Sequence, residues 1–145
     1  YITQGETRKV VVKADENLLE AIETKNDGDV LVIRATQNIR NATSKKVFIT
    51  VPDLEEIETS SGSNVFSETK LVFRDLKVST SSGSNVTLEI NSEKTEFSSS
   101  SGSNIKLQGI SNSFKAKASS GANIKAVDLT AVSYTHLTLP TSDLV

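Results

Sequence analysis

The chain has 145 residues, 16 basic and 18 acidic side chains, a net charge of −2 and 36 % hydrophobic residues, which is the size and balance of one ordinary domain. A nearly neutral chain lacks the basic surface typical of nucleic-acid or anionic-membrane partners. The absence of cysteine excludes disulfides and thiolate sites, and a single histidine excludes histidine-cluster metal sites. No apolar run approaches the length of a membrane span. The composition therefore disfavours an enzyme, and it predicts no cofactor, no nucleic-acid partner and no membrane span in this fragment.

The first fifty residues predict a less regular β region. Strands are expected over residues 8–13, 30–34 and 46–51, each of which is rich in β-branched or apolar residues. Residues 26–29, Asn-Asp-Gly-Asp, are a strong turn signal whose glycine is expected at positive φ. Residues 15–22 carry apolar side chains at helical spacing, which leaves a single helical turn and a bent extended segment as alternatives.

A tetrapeptide repeat dominates the chain after residue 51. Ser-Gly-Ser-Asn occurs three times and Ser-Gly-Ala-Asn once, and successive glycines are separated by 21, 19 and 19 residues. Spacing this regular is typical of a repeat architecture. The glycines and asparagines of the four copies are Gly62, Asn64, Gly83, Asn85, Gly102, Asn104, Gly121 and Asn123.

Apolar residues flank every copy of the repeat at fixed positions. The alternation of period two on both sides of the glycine indicates β-strands. A unit of about 20 residues cannot bury its own apolar face, so it must stack on its neighbours. We therefore predict an all-β fold, a parallel β-helix-like solenoid of about 20-residue coils spaced about 4.8 Å apart. The two apolar columns are Ile57, Val78, Phe97, Ala116 and Val65, Val86, Ile105, Ile124.

The chain is expected to divide into three parts. Residues 1–50 form an N-terminal β region that caps the solenoid, because an open strand edge invites aggregation. Residues 51–131 form the repeat solenoid, with variable polar corners at residues 91–94 and 111–113. Residues 132–145 form a tail that departs from the repeat.

The repeated glycines and asparagines predict a structural ladder at the solenoid corners. Both residue types adopt positive φ more readily than others, and stacked asparagine amides can hydrogen-bond from coil to coil. Binding of an ion or a sugar by the column is the alternative, although corner chemistry accounts for these positions without a ligand.

A row of hydroxyl groups is predicted two residues before each glycine, on a flat outward face. Such a row offers a binding face to a glycan, whereas small polar residues on a solvated strand need no ligand, and both readings stay open. The inward neighbours of this row are small because narrow coils have little interior room. The outward row is Ser60, Ser81, Ser100 and Ser119, and the inward one is Thr59, Thr80, Ser99 and Ala118.

Several blocks in sequence order resemble the auto-transporter adhesin head domain family, also called the GIN domain family. They are residues 10–19, 22–24, 28, 32–34 and 47–54 and the Ser-Gly-Ser-Asn repeats, so the resemblance runs from about Gly5 to Ala131. It implies a β-helix-like solenoid of Bacteroidetes-type bacteria, usually placed after an export or lipoprotein signal. An extracytoplasmic location in the periplasm, on the outer membrane or at the cell surface follows from it, and the family carries no catalytic motif to transfer.

The tail carries a second resemblance. Residues 132–141 resemble the conceptual translation of a tagmentation sequencing adapter, so we expect the natural sequence to stop near Ala131 and residues 132–145 to be non-native. A genuine terminal strand over residues 134–139 is the alternative. The only histidine, His136, would then be foreign, which removes the central residue from any catalytic triad or metal proposal.

Two classes of function remain. The first is a non-catalytic exported module, adhesin-like, that binds a glycan or a surface protein and is able to oligomerise through its solenoid edges. The second is a polysaccharide-active β-helix enzyme, a lyase or hydrolase, which requires clustered carboxylates in a groove. We favour the first, with no catalytic, metal or cofactor residues, because the acids do not share one column beside a basic partner. The acids considered are Glu55, Glu56, Glu58, Asp75 and Glu89.

Overall fold

The computed structural model describes residues 1–37 and 44–138. The chain forms two compact units. The N-terminal unit is Lys9–Ile49, and the solenoid unit is Tyr1–Arg8 together with the chain from Thr50 onward. No helix in the described part of the chain has the length and apolarity needed to cross a membrane.

The regular elements of the described residues are eleven β-strands and one helical turn. In chain order the elements are β1 (Ile2–Gln4), β2 (Lys9–Ala14), α1 (Glu16–Leu19), β3 (Ile22–Asp27), β4 (Val30–Ala35), β5 (Lys45–Val51), β6 (Glu56–Thr59), β7 (Asn64–Phe66), β8 (Leu71–Thr80), β9 (Asn85–Ser99), β10 (Asn104–Ala118) and β11 (Asn123–Thr138).

The N-terminal unit contains the three predicted strands as β2, β4 and β5. It also contains β3, which the sequence analysis missed because its exposed polar residues lack an apolar alternation. Strand β3 pairs antiparallel with β4, and Asp27 lies opposite Val30. The two-residue loop between them begins with Gly28 at φ 62°, which confirms the predicted turn. Residues 15–22, for which a helical turn and an extended segment were the alternatives, contain both. Glu16–Leu19 form the helical turn α1, and Ile22 begins strand β3.

The solenoid unit confirms the predicted stack of parallel coils. Its strands pair in the order β11-β10-β9-β8-β6, and β7 pairs with β9 on the other side of the first corner. The registers place equivalent repeat positions opposite each other, for example Asn104 between Asn85 and Asn123. Because the pairing is parallel, each peptide group hydrogen-bonds to the coils above and below it. The repeat in the sequence therefore becomes a set of straight columns.

The first residues of the chain pack against the first coil. Ile2 bridges Ser67 and is buried in the solenoid core. The side-chain amide of Gln4 donates to the carbonyl of Val72 at 2.8 Å and accepts from the Val72 amide at 2.7 Å. These contacts satisfy backbone groups that the first coil would otherwise expose at its edge.

The core consists of inward columns whose side chains compensate one another in volume. Ile57, Val78, Phe97 and Ala116 form one of the predicted apolar columns. In the neighbouring column, Thr95 precedes Phe97 by two residues and faces Phe114 in the next coil. The large ring thus changes column between the two coils, and the rings of Phe97 and Phe114 pack with centroids 5.6 Å apart. Each of these two coils has one phenylalanine in its interior, so the narrow space stays filled without a clash.

The variable polar corners expected at residues 91–94 and 111–113 are not loops. Strands β9 and β10 run through them with their ladder intact. Ser92 and Ser111 point inward there and are 5 % and 0 % exposed. The predicted corners are therefore bends within continuous strands, at which two successive side chains are exposed, Glu93 and Lys94 in β9 and Asn112 and Ser113 in β10. The inward position of the serines could not be predicted, because a small polar residue inside a narrow bend looks like a surface residue in the sequence. The Ser111 hydroxyl donates to the carbonyl of Ser113 at 2.9 Å.

Strand β11 continues beyond Ala131 in parallel register with β10 as far as Thr138. A parallel ladder is built from peptide groups, so its continuation does not depend on which side chains follow. The pairing is therefore compatible with an adapter-derived tail and with a terminal strand. Residues 139–145 lie outside the described part of the chain, and the origin of residues 132–145 stays a prediction that a read of the source gene past the Ala131 codon checks.

Gly109 marks a bend at which backbones approach closely. It lies opposite Ile90 in the ladder and has φ 113°. A Cβ atom at this position would lie against the carbonyl oxygen of Ile90, far inside van der Waals contact. The corner glycine Gly83 also has positive φ, at 72°, but a Cβ added there would meet no atom within 4 Å.

We expect Gly83→Ala to lower the free energy of unfolding by about 1–2 kcal/mol, the cost of a left-handed conformation alone. Gly109→Ala should lower it by more than about 3 kcal/mol, because a collision with backbone is added to that cost. Chemical denaturation followed by circular dichroism measures both values. Equal losses in the two variants would contradict the close approach at Ile90.

Candidate functional site

The four repeat corners are tight turns with one geometry. Each turn has four residues and begins one residue before the tetrapeptide. The amide of its fourth residue donates to the carbonyl of its first, as in Ser63 to Ser60 at 3.3 Å and Ser84 to Ser81 at 3.2 Å. Both central residues have positive φ, for example 53° at Ser82 and 72° at Gly83. Two left-handed central residues define a type I′ turn. The chain therefore reverses direction within four residues at every corner.

The glycine of each corner has positive φ, as the repeat predicts, whereas the prediction of positive φ for the asparagine was wrong. The left-handed residues are the glycine and the serine before it, because a type I′ turn needs them at consecutive positions. The asparagine is instead the first residue of the following strand. The serines concerned are Ser61, Ser82, Ser101 and Ser120, with φ between 53° and 57°.

Successive corners are joined by backbone hydrogen bonds. The amide of Gly62 donates to the carbonyl of Ser82 at 3.1 Å, and the amide of Gly83 donates to the carbonyl of Ser101 at 3.1 Å. Gly102 repeats the contact to Ser120 at 3.2 Å. The turns therefore stack as a continuous column, which fixes the height of every side chain beside them.

The third residue of the second, third and fourth tetrapeptides is buried, whereas Ser63 in the first copy is exposed. The hydroxyls of Ser84 and Ser103 donate to the carbonyls of Ser81 and Ser100 at 2.7 and 2.6 Å, and both serines are fully buried. The fourth coil has Ala122 at the same place.

The buried corner hydroxyls join the inward row of the preceding strands. Ser103 lies 3.0 Å from the Thr80 hydroxyl and 2.8 Å from the Ser99 hydroxyl. In the fourth coil both members of this set are alanine, Ala118 and Ala122. A buried hydroxyl without a partner is costly whereas a pair of apolar replacements is not, so the two positions change together.

We expect Ser103→Ala to lower the free energy of unfolding by about 1–3 kcal/mol, because it leaves the Thr80 and Ser99 hydroxyls with fewer buried partners. The double variant Ser99→Ala/Ser103→Ala should cost less than the sum of the single variants, by about 0.5 kcal/mol or more. Ser98→Ala, in the adjacent outward position, is the control and should change stability by less than about 0.5 kcal/mol. Denaturant midpoints give all four values, and strict additivity would contradict the coupling.

The asparagines form a hydrogen-bonded ladder on the solvent side of the corner. The Asn85 side-chain amide donates to the side-chain oxygen of Asn64 at 2.9 Å, and Asn104 donates to Asn85 at 2.9 Å. Asn123 donates to Asn104 at 3.1 Å. These side chains are exposed or half-buried. Each amide has two N–H donors, so one donor per rung remains after the ladder is formed.

The predicted hydroxyl row lies at the first position of each turn. Ser60 is exposed and the other three members, Ser81, Ser100 and Ser119, are half-buried. The structure places a second hydroxyl column next to it, which the sequence analysis did not single out, although the Ser-Ser-Gly run was its signal. Its members are the exposed left-handed serines, Ser61, Ser82, Ser101 and Ser120. The corner therefore presents two hydroxyl columns and one amide column side by side.

Charges alternate along an outward column on the strand before the corner. Glu56, Lys77, Glu96 and Lys115 lie opposite one another in successive coils. Lys77 lies 2.9 Å from Glu56, and Lys115 lies 3.4 Å from Glu96. The sequence analysis missed these basic partners because it did not align the charged residues between coils, and Glu89 likewise lies 3.3 Å from Lys70.

The ion pairs in the alternating column shift the pKa values of their members. A hydrogen bond to Glu56 raises the pKa of Lys77 above its usual value of 10.5. A hydrogen bond from Lys117 lowers the pKa of Glu96 below its usual value of 4.5. A lowered carboxyl pKa contributes stability above the unfolded-state pKa, and that stability is lost as pH falls through the folded-state pKa.

We expect Glu96→Gln to reduce stability at neutral pH. Its effect should decline as pH falls from about 4.5 through the lowered folded-state pKa, because Glu96 is protonated first in the unfolded protein and only at lower pH in the folded one. Thermal denaturation of both proteins between pH 2 and 7 measures the difference in melting temperature. The difference should shrink in about 1 M salt, which screens exposed charges. A difference that does not change with pH would contradict the role assigned to the ion pairs.

Two shallow grooves lie on the described surface of the solenoid unit. One of about 530 Å³ is lined by residues that include Phe73, Ser92 and the ion pair of Arg74 with Glu93, whose charged atoms are 3.6 Å apart. The other, of about 190 Å³, runs beside the asparagine ladder and includes Lys106 and Lys125. Among residues 1–37 and 44–138, no group of three or more His, Cys, Asp or Glu side chains is placed to hold a metal ion.

Comparisons with known proteins agree with this architecture. The sequence matches a family described as "Putative auto-transporter adhesin, head GIN domain" over residues 1–137. The structure is similar to a crystal structure called "Putative lipid binding protein from Parabacteroides distasonis ATCC 8503", with a TM-score of 0.76 and 16 % identity over 99 % of this chain and 71 % of that chain. Likeness at this identity shows a shared fold. A comparison with curated proteins gives no match.

Proposed function

This chain belongs to the auto-transporter adhesin head GIN domain family, and we propose that it is a non-catalytic binding module whose ligand is a glycan. The match over residues 1–137 confirms the family membership that the N-terminal blocks and the repeats predict. The names of the family and of the similar structure describe binding or adhesion rather than catalysis. The glycan is the part that the corner geometry supports.

The observation that carries the proposal is the asparagine ladder at the corner. Its amides repeat once per coil at a spacing of about 4.8 Å, and each retains a donor beyond the bond to its neighbour. A ligand that offers many hydroxyl groups along its length matches such a column better than a compact ligand does. The two hydroxyl columns beside it add further donors and acceptors.

The ladder is also fixed in position before any ligand binds. Backbone bonds hold each turn to the next, and the side-chain amides hold one another. Little side-chain freedom is then lost on binding, which lowers the entropic cost of holding a ligand. Rigid polar surfaces of this kind suit recognition without chemistry.

The proposed place of action is outside the cytoplasm. Adhesins and auto-transporters act at the cell envelope, so the family description implies an extracytoplasmic location. We place the module in the periplasm or at the cell surface, where a glycan ligand is available. Fractionation of the native host, with detection of this chain in each fraction, tests the location, and recovery in the cytoplasm alone would contradict it.

A glycan array, followed by titration calorimetry with the best ligand, tests the function. We expect binding without depolymerisation, and Asn85→Ala/Asn104→Ala should weaken it by about tenfold or more through loss of the ladder. The matched control is Asn91→Ala/Asn112→Ala, which removes two exposed asparagines that line the other groove and should leave affinity unchanged.

A turnover assay on a panel of polysaccharides accompanies the binding measurements. Chain cleavage by the wild-type protein would overturn the non-catalytic proposal in favour of a polysaccharide-active enzyme. Binding confined to a surface protein or to lipid vesicles, with no glycan bound, would overturn the choice of ligand.

A further inference from the structure

The strands after the third and fourth corners, β10 and β11, carry like charges opposite each other. Lys106 and Lys125 are directly opposite each other in β10 and β11, and both are exposed. Directly opposed like charges destabilise a sheet. In the part of the chain that the structure describes, neither lysine has an ion-pair partner, whereas Lys70, Lys77 and Lys115 each do.

Two acids in the adjacent part of the ladder, Glu89 and Asp128, both lie opposite Gln108. On the same face, Glu89 pairs with Lys70, and Asp128 accepts a hydrogen bond at 3.3 Å from the Gln108 side chain. Among the described residues, no carboxylate therefore lies within ion-pair distance of either lysine.

The same lysines line the 190 Å³ groove together with three asparagines of the ladder. Lysine has only donors, and the spare amide N–H groups of Asn85, Asn104 and Asn123 are donors too. The polar side chains of this groove thus combine two positive charges with a row of N–H donors. Such a site favours an anionic group with several oxygen acceptors, because hydrogen bonds that involve charged partners are the stronger ones.

We propose that this groove binds the carboxylate groups of an acidic polysaccharide, with Lys106 and Lys125 sharing one acidic sugar and the asparagine ladder contacting its hydroxyl groups. The inference rests on the proposed function, since it names the class of glycan. The net charge of the chain is −2, so attraction comes from this local pair rather than from the whole molecule. A bound carboxylate also removes the repulsion between the lysines.

Titration calorimetry of the full chain tests the proposal, with polygalacturonate, neutral dextran and anionic phosphatidylglycerol vesicles as probes. We expect binding to polygalacturonate that weakens as salt rises. Lys106→Gln/Lys125→Gln should weaken it by about 100-fold, about tenfold for each charged contact. The matched control is Lys115→Gln/Lys117→Gln, which removes the same charge from lysines already paired with Glu96 and should change affinity less than about threefold.

The results distinguish failure of the acidic-glycan site from failure of the proposed glycan-binding function. Binding of dextran as tight as that of polygalacturonate would overturn the acidic ligand and leave the glycan module standing. Equal losses in the two lysine pairs would overturn the site while leaving the ligand. Binding of vesicles alone would overturn both and favour an anionic lipid surface.

Discussion

Every coil of the solenoid must reverse direction at the same height, because a parallel ladder tolerates no drift between one coil and the next. The stacked type I′ turns meet this requirement. Each joins to the next by a glycine amide and a serine carbonyl, as in Gly83 to Ser101. The columns that face the solvent and those that face the core are straight because these corners are in register.

The narrow interior imposes the second constraint. A coil has room for one large ring, so Phe97 and Phe114 occupy neighbouring columns in successive coils rather than the same one. Small hydroxyls fill the remaining space. Those of Ser99 and Ser103 hydrogen-bond to each other, whereas the buried hydroxyl of Ser92 has no partner within the described part of the chain. In the fourth coil, Ala118 and Ala122 occupy the positions that Ser99 and Ser103 have in the third. Both hydroxyls of the hydrogen-bonded pair are therefore absent together.

The outward faces are not needed for closure of the coils, and their chemistry differs from column to column. On the strand before the corner, acids and bases alternate, and they neutralise one another between coils. On the strand after it, amides form a ladder and two lysines lie together in β10 and β11. The solenoid therefore has one surface whose charges are paired with each other and another whose N–H donors are not all used within the protein.

The sequence by itself determined the parallel solenoid, its apolar columns and the alignment of Gly62 to Gly121 and Asn64 to Asn123, because one repeat period places all of them. It could not locate the left-handed serines, the inward Ser92 and Ser111, or the close approach at Gly109, since these depend on where a bend falls within a coil. The pairing of Glu56 with Lys77 and the opposition of Lys106 and Lys125 likewise needed the register between coils. Which charges meet is a property of the stack, and only the tertiary structure decided it.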